Sequence, residues 1–122
     1  MKDITELAKS YNVTTRTIRY YEELGLLKPD RTAGNKRIYS KSEVVKMKLI
    51  LRGKKYGFTL EEIKEMILLF DKDRTGKQQL ERTIEFGHEK ILQIEEKMQE
   101  LQDMKREMEQ LLAKFKEKLQ EQ

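Results

Sequence analysis

Two arginines and a tyrosine, Arg16, Arg19 and Tyr20, lie close together near the N-terminus, in the segment TRTIRYYEELGLL. Arginine guanidinium groups can grip a phosphate or the edge of a guanine, and a tyrosine hydroxyl can donate to a phosphate. If the segment is helical, Ile18 and Tyr21 share one face, and Arg16 and Tyr20 lie opposite with Arg19 at the flank. This division predicts a helix that is buried on one side and offers hydrogen-bond donors to a polyanion on the other.

The same helix also has a purely structural interpretation, in which Arg19 pairs with Glu22 or Glu23 and Tyr20 only packs. The charge distribution favours the polyanion. Through Phe58 there are 14 Lys and Arg against 6 Asp and Glu, and the remainder of the chain has 12 against 16. A basic N-terminal half beside a mildly acidic C-terminal half indicates that only the first half meets a polyanion.

No other group of residues has the make-up of a catalytic or metal site. The chain has no cysteine, which excludes disulfides and thiolate sites, and its single histidine, His88, makes no convincing metal site alone. Three methionines in the C-terminal half could suggest a ligand site, but their spacing fits core packing of a helix. They are Met98, Met104 and Met108. There is no Ser/His/Asp set and no glycine-rich phosphate loop. We therefore expect no enzymatic activity, no metal and no cofactor.

The chain shows no targeting or membrane segment. It has no apolar run of the roughly 18 residues that a membrane-spanning helix needs, and MKDITELAKS lacks the apolar stretch of a signal peptide. We expect a cytoplasmic protein without membrane contacts.

Helix-start signals recur along the chain and predict five helices. In four places a capping residue is followed three positions later by Glu or Gln, so that each side chain can satisfy an unpaired backbone N–H. The pairs are Asp3 with Glu6, Ser40 with Glu43, Thr59 with Glu62, and Thr75 with Gln78. A fifth start lies at Thr14, after Asn12 closes the first helix. The predicted helices cover residues 4–10, 14–24, 42–55, 59–70 and 76–120.

The segment GLLKPDRTAGNKRIYS between the second and third helices cannot be helical throughout, because it contains proline and glycine. Its turn signal, Gly34-Asn35, stands between Leu26-Leu27-Lys28 and Arg37-Ile38-Tyr39, which predicts a two-stranded hairpin with a basic tip. Two short helices joined by a tight connection and followed by a basic hairpin indicate a winged helix-turn-helix.

From Leu80 onward the chain keeps a heptad seam that only Gly87 and Lys105 interrupt. Such a seam predicts a left-handed coiled coil, and the simplest partner is an identical chain. The residues assigned to this dimer contact are Ile84, Ile91, Ile94, Met98, Leu101, Met108, Leu112, Phe115 and Leu119. The expected domains are 1–75, the winged helix-turn-helix with two supporting helices, and 76–122, the coiled-coil dimerisation helix.

The stretches TIRYYEELGLLKPDR and GNKRIYS resemble the signature of MerR-family transcriptional regulators. RGKKYGFTLEEIKEMI is similar to the family's junction between the third and fourth helices. The resemblance is specific over about residues 3–70 and extends over 76–119 by architecture. It implies a mainly α fold, in which a winged helix-turn-helix DNA-binding domain is followed by a long C-terminal helix forming an antiparallel dimeric coiled coil.

The resemblance also implies which residues contact DNA from the recognition helix, the wing and the third helix. They are Thr15, Arg16, Arg19, Tyr20, Lys36, Arg37, Tyr39, Arg52 and Lys55. The wing tip departs from the family pattern: members often have Gly-Tyr-Arg, whereas here the chain reads Gly34-Asn35-Lys36-Arg37. The charge is kept but the tyrosine is absent.

Partners and mechanism are likewise implied by the resemblance. The dimer binds double-stranded promoter DNA whose spacer is too long and, once activated, bends and untwists it so that RNA polymerase, an indirect partner, can use both promoter elements. Metal- and thiol-sensing members use cysteines near the end of the long helix, and multidrug-sensing members append a large ligand domain. This chain has no cysteine and stops shortly after the seam. Two possibilities remain. Either a small organic effector binds near DKDRTGKQQ, between the long and fourth helices, or there is no effector.

Two rival functions belong to other classes. An architectural or excisionase-like protein bends DNA with little dependence on its sequence and without effector control. A coiled-coil adaptor, whose basic half binds an acidic protein, predicts no DNA binding at moderate salt.

Overall fold

The computed structural model describes residues 1–122 as five α-helices and one three-stranded sheet. The elements are β1 (Lys2–Asp3), α1 (Ile4–Tyr11), α2 (Thr15–Glu23), β2 (Asp30–Arg31), β3 (Arg37–Tyr39), α3 (Lys41–Lys55), α4 (Leu60–Lys72) and α5 (Lys77–Gln120). The chain forms two compact units, Met1–Thr83 and Ile84–Gln122. No helix combines the length and apolarity needed to cross a bilayer. The predicted mainly α fold, with a winged helix-turn-helix and a long C-terminal helix, is confirmed.

The first four helices begin at the predicted capping residues. Side-chain oxygens of Asp3, Thr14, Ser40 and Thr59 accept hydrogen bonds from the backbone N–H three positions on, at 2.8, 3.1, 3.4 and 3.1 Å. At Thr59 the bond is reciprocal, because Glu62 accepts from the Thr59 N–H at 2.8 Å. These caps satisfy backbone donors that the first turn of a helix leaves unpaired, which is why the starts could be predicted locally.

The start of α5 differs from the predicted capping pair of Thr75 and Gln78. Asp73 Oδ1 accepts from the backbone N–H and the hydroxyl of Thr75, at 3.1 and 2.6 Å. These hydrogen bonds hold the pKa of the Asp73 carboxyl below its ordinary value, and the bond from the Thr75 hydroxyl has the larger effect. Thr75 Oγ1 in turn accepts from the Lys77 N–H at 3.3 Å. The aspartate therefore organises this turn, and the threonine hydroxyl caps the helix.

The sheet corrects the predicted hairpin. It has the order β1-β3-β2, with both pairs antiparallel, so that Ile38 on the central strand faces Asp3 on one side and Asp30 on the other. Strand β1 was not predicted, and β2 lies at Asp30–Arg31 instead of residues 26–28. The reason is that Leu26 and Leu27 are buried in the core, and the Lys28 N–H donates to a glutamate side chain instead of to a strand.

Apolar residues from every helix of the first unit share one core. Its fully buried members are Leu7, Ile18, Tyr21, Leu26, Leu27, Tyr39, Met47, Ile50, Ile63 and Met66. Gly53 lets α3 approach α4 closely, because a Cβ at that position would stand 2.7 Å from Cγ1 of Ile63. The close contact of these two helices fixes the basic C-terminal end of α3 on the rest of the unit.

A buried charge network joins the base of the wing to the end of α4. Glu43 Oε1 accepts from the Lys28 N–H at 2.9 Å. The Lys46 ammonium lies 3.2 Å from Glu43 Oε2 and 2.8 Å from Asp71 Oδ1, and its side chain is only 4% exposed. Arg74 completes the network at 2.9 Å from the same Asp71 oxygen. A buried ammonium of this kind is tolerated because each side carries a carboxylate partner.

The second unit is the helical segment 84–122, and its apolar side chains have no cover within the unit. Ile91 and Ile94 are each 53% exposed, Met98 is 56% exposed and Leu101 is 64% exposed. These residues follow the predicted heptad spacing. The apolar stripe predicted from the sequence is therefore exposed along this helical segment.

Candidate nucleic-acid interface

The two faces of α2 divide as the sequence predicts. Ile18 and Tyr21 are 0% and 1% exposed and hold the helix on the core. Arg16 and Arg19 are exposed, and Tyr20 is half exposed. The helix is fixed at its start by the Thr14 cap, so its outward donors belong to a rigid element that tertiary packing orients.

The wing is clamped to α2 by one carboxylate. Glu22 Oε2 accepts from Nε of Arg37 at 3.0 Å, and Glu22 Oε1 accepts a short hydrogen bond from the hydroxyl of Tyr39. Both partners lie in β3, so this contact fixes the wing strand against the recognition helix. Burial raises the pKa of the Tyr39 phenol well above its ordinary value, and the hydrogen bond to Glu22 raises it further. The phenol therefore keeps its proton and donates to Glu22. Glu22 therefore pairs with the wing, whereas the structural alternative paired it with Arg19.

Tyr39 differs from its predicted place. It was expected among the residues that face DNA, but its side chain is completely buried and its hydroxyl is bonded to Glu22. Period-two alternation along β3 explains the difference, because Tyr39 points to the core when Ile38 is on the other face. Arg37, also predicted to contact DNA, is partly buried and occupied by Glu22.

The turn of the wing presents exposed basic groups. Asn35 adopts the left-handed conformation at φ 61°, and its N–H donates to the carbonyl of Thr32 at 2.8 Å. The Arg31 guanidinium donates to the carbonyl of Asn35 at 3.1 Å, which ties β2 to the tip. Lys36 is exposed beside this turn. Where family members often have Gly-Tyr-Arg, this chain thus has a closed turn that carries an exposed lysine.

The C-terminal end of α3 braces α2 from another side. The Lys54 ammonium lies 3.3 Å from the hydroxyl of Tyr21 and 5.5 Å from the centroid of its ring. Arg52 and Lys55, both predicted DNA contacts, are exposed in the same last turn. Lys54 was not among the predicted functional residues. It lies in the basic run RGKKYG, but only its contact with Tyr21 of α2 distinguishes it from the other basic residues of that run.

The predicted residues thus fall into two groups. Exposed or partly exposed side chains on three adjoining elements are Thr15, Arg16, Arg19, Tyr20, Lys36, Arg52 and Lys55. Arg37 and Tyr39 form the clamp that connects two of these elements. Cationic and hydroxyl groups spread over a helix, a wing and a turn can neutralise several phosphates while one helix reads base edges. Nowhere in the chain do three or more histidine or acidic side chains gather as a metal site would require.

Comparison with known proteins places this surface in a family. Residues 3–68 match the family model described as MerR HTH family regulatory protein, and residues 44–111 match the model described as MerR, DNA binding. The mercuric resistance operon regulatory protein of Bacillus cereus is 37% identical over 116 residues, covering 94% of this chain and 83% of that protein.

Solved structures agree with this assignment. The transcription regulator PbrR691 from Ralstonia metallidurans CH34, solved in complex with lead(II), is 32% identical, with a TM-score of 0.66 over 88% of this chain and 83% of that one. HiNmlR, a MerR family regulator lacking the sensor domain and bound to promoter DNA, shares the fold at 22% identity, with a TM-score of 0.60 over 82% of this chain and 77% of that one. These relatives are transcription regulators and not enzymes, as the sequence predicts. The chain belongs to the MerR family of DNA-binding transcription regulators.

Proposed function

We propose that this protein is a homodimeric, sequence-specific regulator that acts on a promoter with an overlong spacer. The observation that carries the proposal is the recognition helix α2, which presents Arg16, Arg19 and Tyr20 outward while its other face is buried. Helix, wing and α3 turn are mutually fixed, so they meet a duplex as one surface. In this proposal DNA binding belongs to residues 1–75 and dimerisation to residues 76–122.

Each part of the surface has its own role. Arg16 and Arg19 contact base edges or phosphates in the major groove, and Thr15 and Tyr20 donate to flanking phosphates. Lys36 binds the backbone from the wing, and Arg52 and Lys55 add phosphate contacts from α3. Tyr39 acts through Glu22 and Arg37, because it is a buried positioning residue and not a direct contact.

In a dimer, two such surfaces bind DNA together and deform it. An antiparallel pair of α5 helices holds two recognition helices at a fixed separation. Promoter DNA whose half-sites do not match that separation must bend and untwist to engage both, and its deformation energy depends on the sequence between them. RNA polymerase is then affected indirectly, through the altered spacing of the promoter elements, and the same complex represses when the DNA stays undistorted.

The effector is a small organic molecule and not a metal ion. The relatives named above include proteins whose names refer to mercury and lead, but this chain has no cysteine and no cluster of three metal-ligand side chains. Within the first unit, a cavity of about 60 Å³ lies among Leu49, Phe58, Met66 and Thr83. Its polar wall is Gln79, which is 5% exposed and donates to the Thr83 hydroxyl at 2.6 Å.

The size of this cavity defines how an effector acts. A volume of about 60 Å³ is far below the roughly 300–1,000 Å³ of pockets that hold small-molecule ligands. An organic effector therefore binds by separating α4 from the first turns of α5, and the ligand-bound form differs in the position of these elements. A molecule with an apolar body and one group for the Gln79 amide fits these surroundings.

The test begins with selection of bound fragments from a genomic DNA library, followed by affinity measurements on the recovered site and on a series of single mismatches. We expect an inverted repeat in which each mismatch in a half-site costs about 1–3 kcal/mol. An architectural protein would bind all members of the series equally, and an adaptor would recover no DNA at moderate salt. Zinc, copper or mercury salts should leave the affinity unchanged. A stoichiometric response to one of these metals would contradict the organic effector.

A further inference from the structure

We propose that Tyr56 is a further DNA contact of this protein, in which its hydroxyl donates to a backbone phosphate while its ring steadies the ammonium of Lys55 beside it. The inference rests on the proposed function, because it adds a residue to the surface that binds DNA. Tyr56 was not among the residues predicted to contact DNA. It directly follows α3, in the turn that also carries Arg52 and Lys55.

Tyr56 presents a large aromatic side chain to solvent. It is 59% exposed, whereas Tyr21 and Tyr39 are buried in the core at 1% and 0%. Its hydroxyl forms no hydrogen bond within the chain. Single exposed apolar side chains are common on protein surfaces, so exposure alone assigns no role. The role of Tyr56 follows from the turn that carries it and from the charges around its ring.

The turn that carries Tyr56 is rigid. The Phe58 N–H donates to the Gly53 carbonyl at 2.9 Å, and the Gly57 N–H donates to the Lys54 carbonyl at 3.3 Å. These are the two hydrogen bonds of a Schellman motif, which Gly57 permits by adopting the left-handed conformation at φ 79°. The ring of Tyr56 is therefore carried by a closed helix end and not by a flexible loop.

Basic groups surround the ring of Tyr56. The Lys55 ammonium lies 5.4 Å from the ring centroid, within the range of a cation–π contact. Arg52 is exposed one turn earlier in α3, and the run RGKKYGF contains no acidic residue. Cations that neutralise phosphates, together with a phenol that can donate to one of them, suit the sugar–phosphate backbone of a duplex.

The same turn is tied to the recognition helix. The Lys54 ammonium lies 3.3 Å from the hydroxyl of Tyr21 and 5.5 Å from the centroid of its ring. The ring centroid of Tyr21 in turn lies 6.2 Å from that of the exposed Tyr20. The turn and α2 therefore approach a duplex as one body, so that Tyr56 can reach a phosphate while α2 reads base edges.

Tyr56→Phe tests the contact, because it removes the hydroxyl and keeps the ring. We expect affinity for duplex DNA to fall about tenfold, since a hydrogen bond to a charged phosphate is lost. A neutral donor releases no counterion, so the slope of log affinity against log salt concentration should stay the same. Lys55→Met is the contrasting variant and should lower that slope by about 0.9 for each subunit that binds.

The titrations use two duplexes, the site recovered from the genomic library and a scrambled version of it. Phosphate contacts carry no base sequence, so Tyr56→Phe should weaken binding to both duplexes by the same factor. Tyr56→Ala and Leu68→Ala form a matched pair, because Leu68 is 60% exposed on α4. Tyr56→Ala should lose at least as much affinity as Tyr56→Phe, and Leu68→Ala should bind DNA as the unaltered protein does. The urea midpoints of all these variants should be unchanged.

Several results would overturn the inference and leave the proposed function intact. They are unchanged affinity of Tyr56→Phe, a loss confined to the recovered site, and an equal loss in Leu68→Ala. A changed oligomeric state of Tyr56→Ala in light scattering would also overturn it, because the ring would then contact a second subunit.

The proposed function is tested separately in the same titrations. If the unaltered protein binds both duplexes equally, it is not a sequence-specific regulator, whereas the effect of Tyr56→Phe is still measured on either duplex. If the unaltered protein binds neither duplex at low salt, the proposed function and the Tyr56 contact are both refuted.

Discussion

The clamp between Glu22 and the wing makes a specific prediction for Glu22→Gln. The substitution keeps the size of the side chain and removes its charge. In the native protein the carboxylate, 14% exposed, accepts from Nε of Arg37 at 3.0 Å and also from the hydroxyl of Tyr39. The glutamine retains one carbonyl oxygen, so it can hold one of these donors and leaves the other without a strong acceptor.

The expected magnitude follows from that loss. A hydrogen bond to a charged group contributes about 1.5–3 kcal/mol, so the free energy of unfolding should fall by roughly this amount. For a unit of this size the thermal midpoint should drop by about 10 °C. Because the wing strand loses its anchor on α2, the wing is less well positioned, and we expect affinity for operator DNA to fall about tenfold, or ~1.4 kcal/mol.

Glu23→Gln is the matched control. Glu23 is the next residue of α2 and is exposed, so its substitution removes the same negative charge near DNA without touching the clamp. Urea unfolding at one protein concentration and titration of labelled operator DNA should show stability unchanged for this control and affinity equal or slightly higher. If the two variants unfold and bind DNA alike, Glu22 does not position the wing, and the reasoning from the clamp is wrong.

Four further predictions concern the core, the recognition helix and the dimer. Lys46→Met should lower the free energy of unfolding by about 3–5 kcal/mol, because it leaves the buried carboxylate of Glu43 without its cation, whereas Asp71 keeps Arg74. A urea midpoint close to the native one would contradict a buried network. Gly53→Ala should cost about 1–3 kcal/mol, since its Cβ would stand 2.7 Å from Ile63, and unchanged stability would mean that α3 and α4 approach less closely. Arg19→Ala should weaken operator binding about tenfold at nearly constant melting temperature, whereas a large drop in melting temperature would show that the side chain packs in the core. Ile94→Asp should yield monomers in light scattering, and a variant that stays dimeric would place the interface elsewhere.

The helices could be predicted from the sequence because their signals are local. A cap such as Thr59 with Glu62 acts over three positions, and the division of α2 into buried and exposed faces follows from helical periodicity alone. The long helix could be predicted for the same reason, since its seam repeats over many heptads.

The sheet and the clamp could not be predicted in this way. Strands β1 and β2 have two residues each, too few to show an alternating pattern, and their position is decided by pairing with β3. The hydrogen bonds of Glu22 with Arg37 and Tyr39 span 15 and 17 positions, so the residues near Glu22 in the sequence do not predict them. For this reason Tyr39 was expected on the DNA-facing surface.

Buried charge was the other feature beyond local reasoning. Lys46 lies in a helix rich in lysine and would be placed in solvent by composition, yet its ammonium is buried between Glu43 and Asp71. Asp71 belongs to another helix, and only the packing of α3 on α4 brings it close. Lysine is almost never fully buried without a partner, so its position depends on contacts that the sequence does not display.

The most direct test of promoter binding by a dimer is a footprint of the purified protein on the DNA upstream of its own gene, repeated over a series of salt concentrations. We expect protection of a two-fold symmetric site between the promoter elements, with the logarithm of affinity falling linearly with the logarithm of salt concentration as phosphate contacts require. Diffuse protection without symmetry, or no protection at low salt, would contradict a dimeric, sequence-specific regulator.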